Sequence, residues 1–409
     1  MLQPQEKLEY QEHHQKDTEV ENRLDRLEDS RFKEIKRLKK KDVSHHLLWY
    51  LKQDYFSEEL LGLHNFEIEN FKKLSAGAYA LYEKATEKIL RENQLGLLDI
   101  PDFFHDCINH SWKNRTKHPF LYGRFDINGG IKQRDSSVIE FNADTCSTLP
   151  ETIHWQSLQN KELKGNNTMQ FNNLAADIAQ TLRHLKTTID HPNPFILGSS
   201  FGYEEDVLNV NSILDIAHEE GYKTFYTNLE EVTFSQENGI LYEINGEYQI
   251  VDVWFKMIPW DWMFNEEPQL AKDLSGIILK DLCTVLNPPY TAIWQNKKFM
   301  AYITTHFPNH YIAQTLTKTP YYNDYVTKPV YGRLGENIEI KGTLNTKSKG
   351  DYANQDVVYQ KYYPLERDLE NYYYQTGVFF TNQPSALNLR SEENAIISDD
   401  CEFMSHYII

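Results

Sequence analysis

Cysteine is scarce in this sequence of 409 residues, and the four cysteines stand far apart. None forms a CxxC pair, so the usual zinc-ribbon spacing is excluded and nothing indicates a disulfide framework. Long apolar runs are missing as well: no stretch approaches the roughly 18 apolar residues of a membrane-spanning helix, and the N-terminus lacks the apolar segment of a signal peptide. We therefore expect a protein of the reducing cytoplasm, with no membrane partner.

Positive charge is also in short supply. Lys and Arg total 42 against 60 Asp and Glu, which gives a formal net charge of −18. A surface of that sign repels phosphate backbones, so nucleic acid is not an expected partner. A cationic small molecule such as a polyamine suits an acidic surface, although net charge also serves solubility alone. With 40% hydrophobic and 13% aromatic residues, the chain can still form a large ordered core.

Apolar spacing divides the chain into a charged N-terminal segment, residues 1–42, and one long globular region, residues 43–409. The spacing in the first segment predicts an amphipathic helix, with apolar positions at Leu24, Leu27, Phe32, Ile35 and Leu38. Helical patterns continue to about residue 93. Beyond it, strand and helix patterns mix without a repeat, which predicts an α/β (α+β) fold.

Two stretches carry the clearest β signals. FLYGRFDI and SSVIEFNAD flank the polar turn NGGIKQRD, which predicts a hairpin. Residues 190–255 begin with the buried-strand pattern NPFILGSSFG, continue with a helix and a strand, and end in a hairpin that turns at Asn245 and Gly246. We expect residues 190–255 to form a small α/β lobe.

The first hairpin gathers oxygen-bearing side chains. Alternation along a strand puts Glu140 and Asn142 on one face, and antiparallel pairing brings Asp126 opposite them. Two carboxylates and an amide oxygen are hard ligands that suit Mg²⁺. Acidic residues on strands are also often merely solvated, so the pattern alone leaves both interpretations open.

A second group of candidates surrounds the segment KPVYGRLGEN. Lys328 ends a predicted strand, and Gly332 and Gly335 in the following loop would let backbone N–H groups approach phosphates. The segment matches neither the P-loop nor the GxGxxG fingerprint, so a purely structural turn stays open. Other side chains suited to a nucleotide site are Lys297, Gln375, Arg390 and the apolar run Ala395, Ile396 and Ile397.

Glu204 and Glu205 follow the strand FILGSSFG at the start of a predicted helix. Such junctions often form ligand sites in α/β proteins, where two acids would recognise an amino group. Acids at a helix N-terminus also stabilise the helix itself, so both roles stay open. The polar loop 342–356, rich in Gly, Ser and Lys, is a candidate lid.

Seven segments, taken in order, resemble the successive motifs of the glutathionylspermidine synthase synthetase family. They are GRFD, EFNADT, FKMIPWDWMF, NPPYTAIWQNKKFM, VTKPVYGRLGENI, VVYQKYYPLE and TGVFFTNQPSALNLR. The resemblance implies an ATP-grasp-like fold: two α/β lobes around an ATP cleft, with a helical N-terminal region. It also implies an ATP- and Mg²⁺-dependent carboxylate–amine ligase that acts through an acyl phosphate, joining a glutathione-like peptide to a polyamine such as spermidine.

The family pattern also assigns roles to individual residues. Mg²⁺ would be bound by Asp126, Glu140 and Asn142. ATP would be bound by Lys297, Lys328, Leu334, Gly335, Gln375, Ala395, Ile396 and Ile397. Arg390 would stabilise charge during phosphoryl transfer, and Arg124 would face the peptide carboxylate or phosphate. The remaining substrate contacts would come from Thr145, Glu204 and Glu205.

The chain departs from the family pattern in two ways. Bifunctional relatives carry an N-terminal amidase, which this sequence lacks, so we expect no hydrolysis of the conjugate. Met257 stands where the glutathione-using enzymes have a threonine, and Thr145 stands at a serine-like position. Another peptide or amine is therefore open, as is a degenerate nucleotide-binding or regulatory protein without ligase turnover. The oligomeric state is not predicted.

Overall fold

The computed structural model describes residues 26–163 and 169–409. Its α-helices are α1 (Asn65–Arg91), α2 (Asp102–Lys113), α3 (Gln156–Glu162), α4 (Leu174–Lys186), α5 (Glu204–Glu219), α6 (Trp260–Glu266), α7 (Pro268–Leu279), α8 (Thr291–Gln295) and α9 (Lys297–His306). A 3-10 helix spans His45–Lys52, and a π-helical turn spans Glu151–Trp155.

The strands lie in four sheets. The first ten are β1 (Phe32–Glu34), β2 (Phe56–Leu63), β3 (Gly123–Asn128), β4 (Ser137–Asn142), β5 (Phe195–Ser200), β6 (Lys223–Asn228), β7 (Thr233–Ser235), β8 (Gly239–Ile244), β9 (Glu247–Val251) and β10 (Val253–Lys256). The others are β11 (Thr284–Leu286), β12 (Thr315–Leu316), β13 (Tyr325–Pro329), β14 (Glu339–Lys341), β15 (Thr346–Lys347), β16 (Val357–Lys361), β17 (Glu366–Arg367), β18 (Tyr373–Phe380), β19 (Pro384–Glu392) and β20 (Glu402–Ile408).

The largest sheet has eight strands in the order β1-β2-β20-β19-β18-β3-β4, with β17 paired to β18. Helix α1 packs on this sheet through a buried stripe that includes Phe71, Ala78 and Tyr82. The Tyr82 ring meets the ring of Phe141 on β4 edge-on, at 5.0 Å between centroids. Burial of this apolar stripe holds the long helix against the sheet.

Residues from β5 to β11 form the second and third sheets. The parallel sheet has the order β11-β10-β5-β6, and β5, α5 and β6 make the predicted strand–helix–strand unit. Strands β8 and β9 form the predicted hairpin, and the sharp turn between them places Asn245 and Gly246 at positive φ. Asn-Gly is the usual choice for such a turn because both residues tolerate positive φ. These local predictions are therefore confirmed.

The fourth sheet is antiparallel, in the order β12-β16-β13-β14-β15, and it carries Lys328 at the end of β13. Helix α9 lies beside it and begins at Asn296, whose side chain accepts a hydrogen bond from the Lys298 N–H at 2.8 Å. The Asn296 amide also donates to the Tyr331 hydroxyl at 2.7 Å. The cap therefore ties the start of α9, and with it Lys297, to the loop that follows β13.

A buried ion pair joins the eight-stranded sheet to the parallel sheet. Lys256, at the end of β10, lies 2.7 Å from Asp144, and both side chains are buried. Asp144 also accepts the backbone N–H of Trp260 at 2.8 Å. The Asn287 side chain donates to the carbonyls of Tyr122, Ala143 and Asp144. The turn after β4 is therefore held by Lys256 and by Asn287. These bonds hold the end of β4 in place.

The N-terminal region differs from its prediction. Residues 1–25 lie outside the described part of the chain, and residues 26–42 form a 3-10 turn followed by β1 rather than a helix. Phe32 pairs with Leu61 of β2, a strand that also falls in a region predicted to be helical. Pairing with neighbouring strands and a buried 2.9 Å ion pair between Arg31 and Glu67 outweigh the helical spacing here.

Among the described residues, no helix combines the length and apolar character that crossing a bilayer requires. The four cysteines, all within the described ranges, are buried free thiols.

Candidate active site

The predicted hairpin forms, and side chains that the sequence singled out lie opposite one another in it. Strands β3 and β4 pair antiparallel, with Asp126 opposite Glu140 and Arg124 opposite Asn142. The Asn142 side-chain amide donates to the Asp126 carboxylate at 3.2 Å. The three oxygen-bearing residues that the sequence singled out therefore share one face of the hairpin.

Asp126 is buried between two guanidinium groups. Arg124 donates to it from Nε at 2.7 Å, and Arg390, two strands away on β19, donates from Nη2 at 2.8 Å. Burial penalises the charged carboxylate, but the positive charges of Arg124 and Arg390 outweigh that penalty and hold the pKa of Asp126 below its usual value. Arg390 also donates to the side-chain oxygen of Gln375, so one network crosses β3, β18 and β19.

Gly377 makes room for this network. It lies opposite Asp126 on β18, and a Cβ there would stand 2.7 Å from Cδ of Arg124 and 2.3 Å from Oδ1 of Asn388. Any larger residue would push against the arginine stem. The glycine therefore lets Arg124 cross the sheet towards Asp126.

Two lysines from the other side of the cleft approach the same hairpin. Lys297 forms an ion pair with Glu140 at 2.8 Å and donates to the Gly332 carbonyl at 2.7 Å. Lys328 donates to the Ile139 carbonyl at 3.1 Å. Burial and the nearby charge of Lys297 lower the pKa of Lys328 to about 8, and the opposing effect of Glu140 does not cancel them. Both ammonium groups are largely desolvated.

The outer wall of the cleft is a tight turn against an apolar segment. Leu334 and Gly335 both have positive φ, at 55° and 70°. A Cβ on Gly335 would stand 2.3 Å from the Ile397 carbonyl, so this approach requires glycine. Ile396 and Ile397 are buried against the turn, which leaves an apolar surface beside the charged floor.

These parts line one cleft. All three predicted metal ligands line it, as do the predicted contacts for phosphate, nucleotide and peptide: Arg124, Thr145, Lys297, Lys328, Leu334, Gly335, Gln375, Arg390, Ala395, Ile396 and Ile397. Glu204 and Glu205, at the start of α5, do not line it. The structure thus brings together every predicted site residue except these two.

Sequence reasoning missed side chains that complete the cleft. Arg333 lines it and forms an ion pair with Asp261 at the start of α6. Gln360, on β16, donates to the Ile139 carbonyl at 3.1 Å, beside Lys328. Both were findable by position, because Arg333 stands within the motif that supplied Lys328 and Gln360 stands within the motif VVYQKYYPLE.

Loop 342–356 packs on the outer turn of the cleft. The Ser348 hydroxyl donates to the Gly335 carbonyl at 2.5 Å, and the Tyr352 N–H donates to the Asn337 side chain at 2.8 Å. The loop itself contributes no lining residue. The loop also contacts residues outside that turn: Asp356 pairs with Lys298 at 2.7 Å, and the Thr343 N–H donates to the Asp324 carboxylate at 2.7 Å.

Beside the cleft lies a group of carboxyls, Glu151, Glu205 and Asp206, for which the described part of the chain shows no ion pair. Burial, together with the negative charges of Asp399 and Asp206, raises the pKa of Glu205 to about 7. Burial and the charge of Glu205 raise the pKa of Glu151 to about 8, although Tyr50 donates a 2.9 Å hydrogen bond to it. Burial raises the pKa of Asp206 to about 6. Unscreened carboxyls of this kind are stabilised by a cation.

The donor set on the hairpin fits a hard divalent cation. Asp126 and Glu140 supply carboxylate oxygens and Asn142 an amide group, the ligand types that Mg²⁺ prefers. Their present partners are the guanidinium and ammonium groups of Arg124, Arg390 and Lys297. Those cations are also suited to bind phosphate oxygens, so metal and phosphate would meet complementary groups.

The chain is similar to several known proteins. The chain is 25% identical over 319 residues to a Haemophilus influenzae protein named "Putative acid–amine ligase", covering 74% of this chain and 77% of the relative. It is 24% identical over 356 residues to the bifunctional glutathionylspermidine synthetase/amidase of Escherichia coli, covering 79% of this chain and 55% of that protein. The solved glutathione synthetase-like effector of Globodera pallida superposes with a TM-score of 0.57 at 12% identity, covering 87% of this chain and 91% of the effector.

The fold is the ATP-grasp-like α/β fold that the sequence predicted. The family profile described as "Glutathionylspermidine synthase preATP-grasp" matches residues 30–409. The chain therefore belongs to the glutathionylspermidine synthase preATP-grasp family, a family of carbon–nitrogen ligases.

The buried Glu151 gives the first prediction, on stability against pH. Its carboxyl titrates near 4.5 when unfolded and near 8 when folded, so the folded state holds an extra proton between these values. The free energy of unfolding therefore falls as pH rises from about 4.5 to about 8. Glu151→Gln removes this contribution, so the variant gains stability relative to wild type across that window.

Urea denaturation at pH 5, 6, 7 and 8 measures the difference. The matched control is Glu69→Gln, an exposed glutamate that pairs with Lys72 on the surface of α1. A difference between Glu151→Gln and wild type that stays constant with pH would contradict the assignment.

Proposed function

We propose that this chain is an ATP- and Mg²⁺-dependent ligase that joins the carboxylate of a glutathione-like peptide to a polyamine such as spermidine, through an acyl phosphate. The observation that carries the proposal is one cleft that combines the three candidate metal ligands with six cationic side chains, Arg124, Lys297, Lys328, Arg333, Lys361 and Arg390. A site for a neutral or cationic ligand would not gather so much positive charge in a protein of net charge −18.

Phosphate binding is supported by the burial and the hydrogen-bond partners of Lys297 and Lys328. Lys297 and Lys328 are each only 4% exposed, and their hydrogen bonds run to a carboxylate and to backbone carbonyls. Phosphate oxygens offer such ammonium groups a stronger partner than a carbonyl does. Mg²⁺, held by Asp126, Glu140 and Asn142, would supply further positive charge to the phosphate oxygens.

The nucleotide base is best accommodated at the outer wall. Ile396, Ile397 and Leu334 offer apolar surface beside the Gly335 turn, and Gln375 lies between this wall and Arg390. A flat base suits an apolar slot with one polar group at its edge. The triphosphate would then extend towards the lysines.

Activation of the carboxylate requires cancellation of charge. A carboxylate is a poor electrophile until its oxygen takes the terminal phosphoryl group of ATP, and negative charge spreads over the transferred oxygens as it does so. Arg390 is suited to oppose that charge because its guanidinium is held in place by Asp126 and Gln375 and its side chain is still 17% exposed. Arg124, with Thr145 beside it in the lining, would face the peptide carboxylate or the phosphate.

The amine is best accommodated by the group of carboxyls beside the cleft. Glu204 is exposed and Glu205 half-buried at the start of α5, and Asp206 and Asp399 lie nearby. A polyamine would supply the missing counterions, and a carboxyl with a pKa near 7 can take a proton from the attacking nitrogen at neutral pH. Loop 342–356, which packs on the cleft turn, would act as the lid that keeps water from the acyl phosphate.

The direct test is ADP release screened across peptides and polyamines. With Mg²⁺ and ATP, wild type is expected to release ADP well above background only when a carboxylate-bearing peptide and a polyamine are both present. The product mass should equal the sum of the two substrates less one water. If no pair stimulates ADP release while Mg²⁺–ATP still binds, the chain is a nucleotide-binding protein without turnover.

The second kinetic prediction concerns Arg390. Arg390→Ala is expected to lower kcat about 10²- to 10³-fold, the usual loss when one preorganised donor to developing charge is removed. The KM for ATP should change far less, because Lys297 and Lys328 are still present. Arg183→Ala, which removes an exposed arginine paired with Glu220, is the control. An unchanged kcat in folded Arg390→Ala would exclude the role.

The third prediction concerns Glu205. Glu205→Gln is expected to raise the KM for the polyamine about tenfold, equivalent to about 1.4 kcal/mol, and to leave the KM for ATP unchanged. In wild type the polyamine KM should also rise as pH falls below about 7, because the carboxyl then becomes neutral; the variant should lose this dependence.

Glu219→Gln, at the other end of the same helix, is the matched control for Glu205→Gln. Equal effects of the two substitutions, or a raised KM for ATP, would show that Glu205 does not recognise the amine.

A further inference from the structure

Two histidines and an aspartate converge outside the cleft. Nε2 of His110 lies 2.7 Å from Oδ1 of Asp281, and Nε2 of His118 lies 3.2 Å from the same oxygen. All three candidate ligand atoms lie within 4.8 Å of one another. None of these residues lines the cleft.

The backbone positions each of the three residues independently. His110 lies in the last turn of α2. The N–H of His118 donates to the Asn114 carbonyl at 3.0 Å, and its own carbonyl accepts a bond from the Tyr290 hydroxyl at 3.3 Å. Asp281 sits at φ 52° in the turn after α7, where its N–H donates to the Ile278 carbonyl at 3.0 Å. Backbone hydrogen bonds therefore fix the positions from which the three side chains converge.

Burial differs across the cluster in a way that suits an ion entering from solvent. The His118 side chain is 1% exposed and forms the floor, whereas those of His110 and Asp281 are 22% and 31% exposed and form the rim.

We propose that His110, His118 and Asp281 form a site for a borderline divalent transition metal such as Zn²⁺. Two imidazole nitrogens and one carboxylate oxygen are a usual set of three protein ligands for such an ion, and water would complete the tetrahedron. Mg²⁺ prefers oxygen ligands, so this site and the cleft select different ions. A bound ion would link the end of α2 to the turn between α7 and β11.

Lys117 is the group that competes with the ion. Its ammonium lies 2.8 Å from Oδ2 of Asp281, and its side chain is 53% exposed. A cation there competes with a metal ion for the Asp281 carboxylate and repels the ion. Removal of this charge by Lys117→Gln is therefore expected to tighten metal binding, whereas a loss of affinity would contradict the ligand assignment.

The experiment uses Co²⁺ as an optical probe on chelator-treated protein, in excess Mg²⁺ so that hard-oxygen sites are occupied. Wild type is expected to bind about one Co²⁺ per chain with the visible absorption of a tetrahedral, nitrogen-coordinated ion, and to unfold at a higher temperature when the ion is present. His110→Ala and Asp281→Asn should each weaken Co²⁺ binding at least tenfold. Metal-free circular dichroism first establishes that both variants fold.

The matched control is His191→Ala. His191 bonds to a single carboxylate, Asp252, at 2.9 Å. The variant therefore tests whether one exposed histidine–aspartate pair is enough to bind Co²⁺. Co²⁺ binding should be unchanged in this variant. The proposal is overturned if wild type shows no visible Co²⁺ spectrum, or if folded His110→Ala and Asp281→Asn bind Co²⁺ as wild type does. His110→Gln replaces His110→Ala if the latter does not fold.

Discussion

The arrangement of the cleft depends on one buried carboxylate. Asp126, 4% exposed, is compensated by Arg124 on its own strand and by Arg390 from two strands away. A buried charge that loses a partner typically costs about 3–5 kcal/mol, so any shift in register among β3, β18 and β19 would be strongly penalised. Gly377 leaves room for the Arg124 side chain to reach Asp126. The hydrogen bond from Arg390 to Gln375 extends the network to β18.

The same interactions would prepare the cleft for the polyanion that the proposed function requires. Lys297 is held by Glu140 and a carbonyl, and Lys328 by a carbonyl, so folding has already removed most of the water around their ammonium groups. A ligand with phosphate oxygens exchanges partners without having to strip that water. Under the proposed function, the carboxylates that now bind these cations would be released to the metal.

Much of the local structure was predictable from local pattern. The shared face of Glu140 and Asn142 followed from alternation along β4, and the turn at Asn245 and Gly246 from the tolerance of both residues for positive φ. The spacing up to residue 42 was misleading, because β1 is defined by its pairing with β2 and β2 by its pairing with β20 near the end of the chain. Pairing over such distances leaves no periodic signature in either segment.

The sequence by itself determined the hairpin, the strand–helix–strand unit, the family motifs and the chemical types of the site residues, since these depend on neighbours in the chain. Only the tertiary structure decided that Arg390 meets Asp126 across 264 positions and that Glu205 lies outside the cleft lining. It likewise joined His110 to Asp281 across 171 positions. Contacts of that range are set by the packing of whole sheets and helices, which hydrophobic burial drives without regard to which polar side chains are brought together.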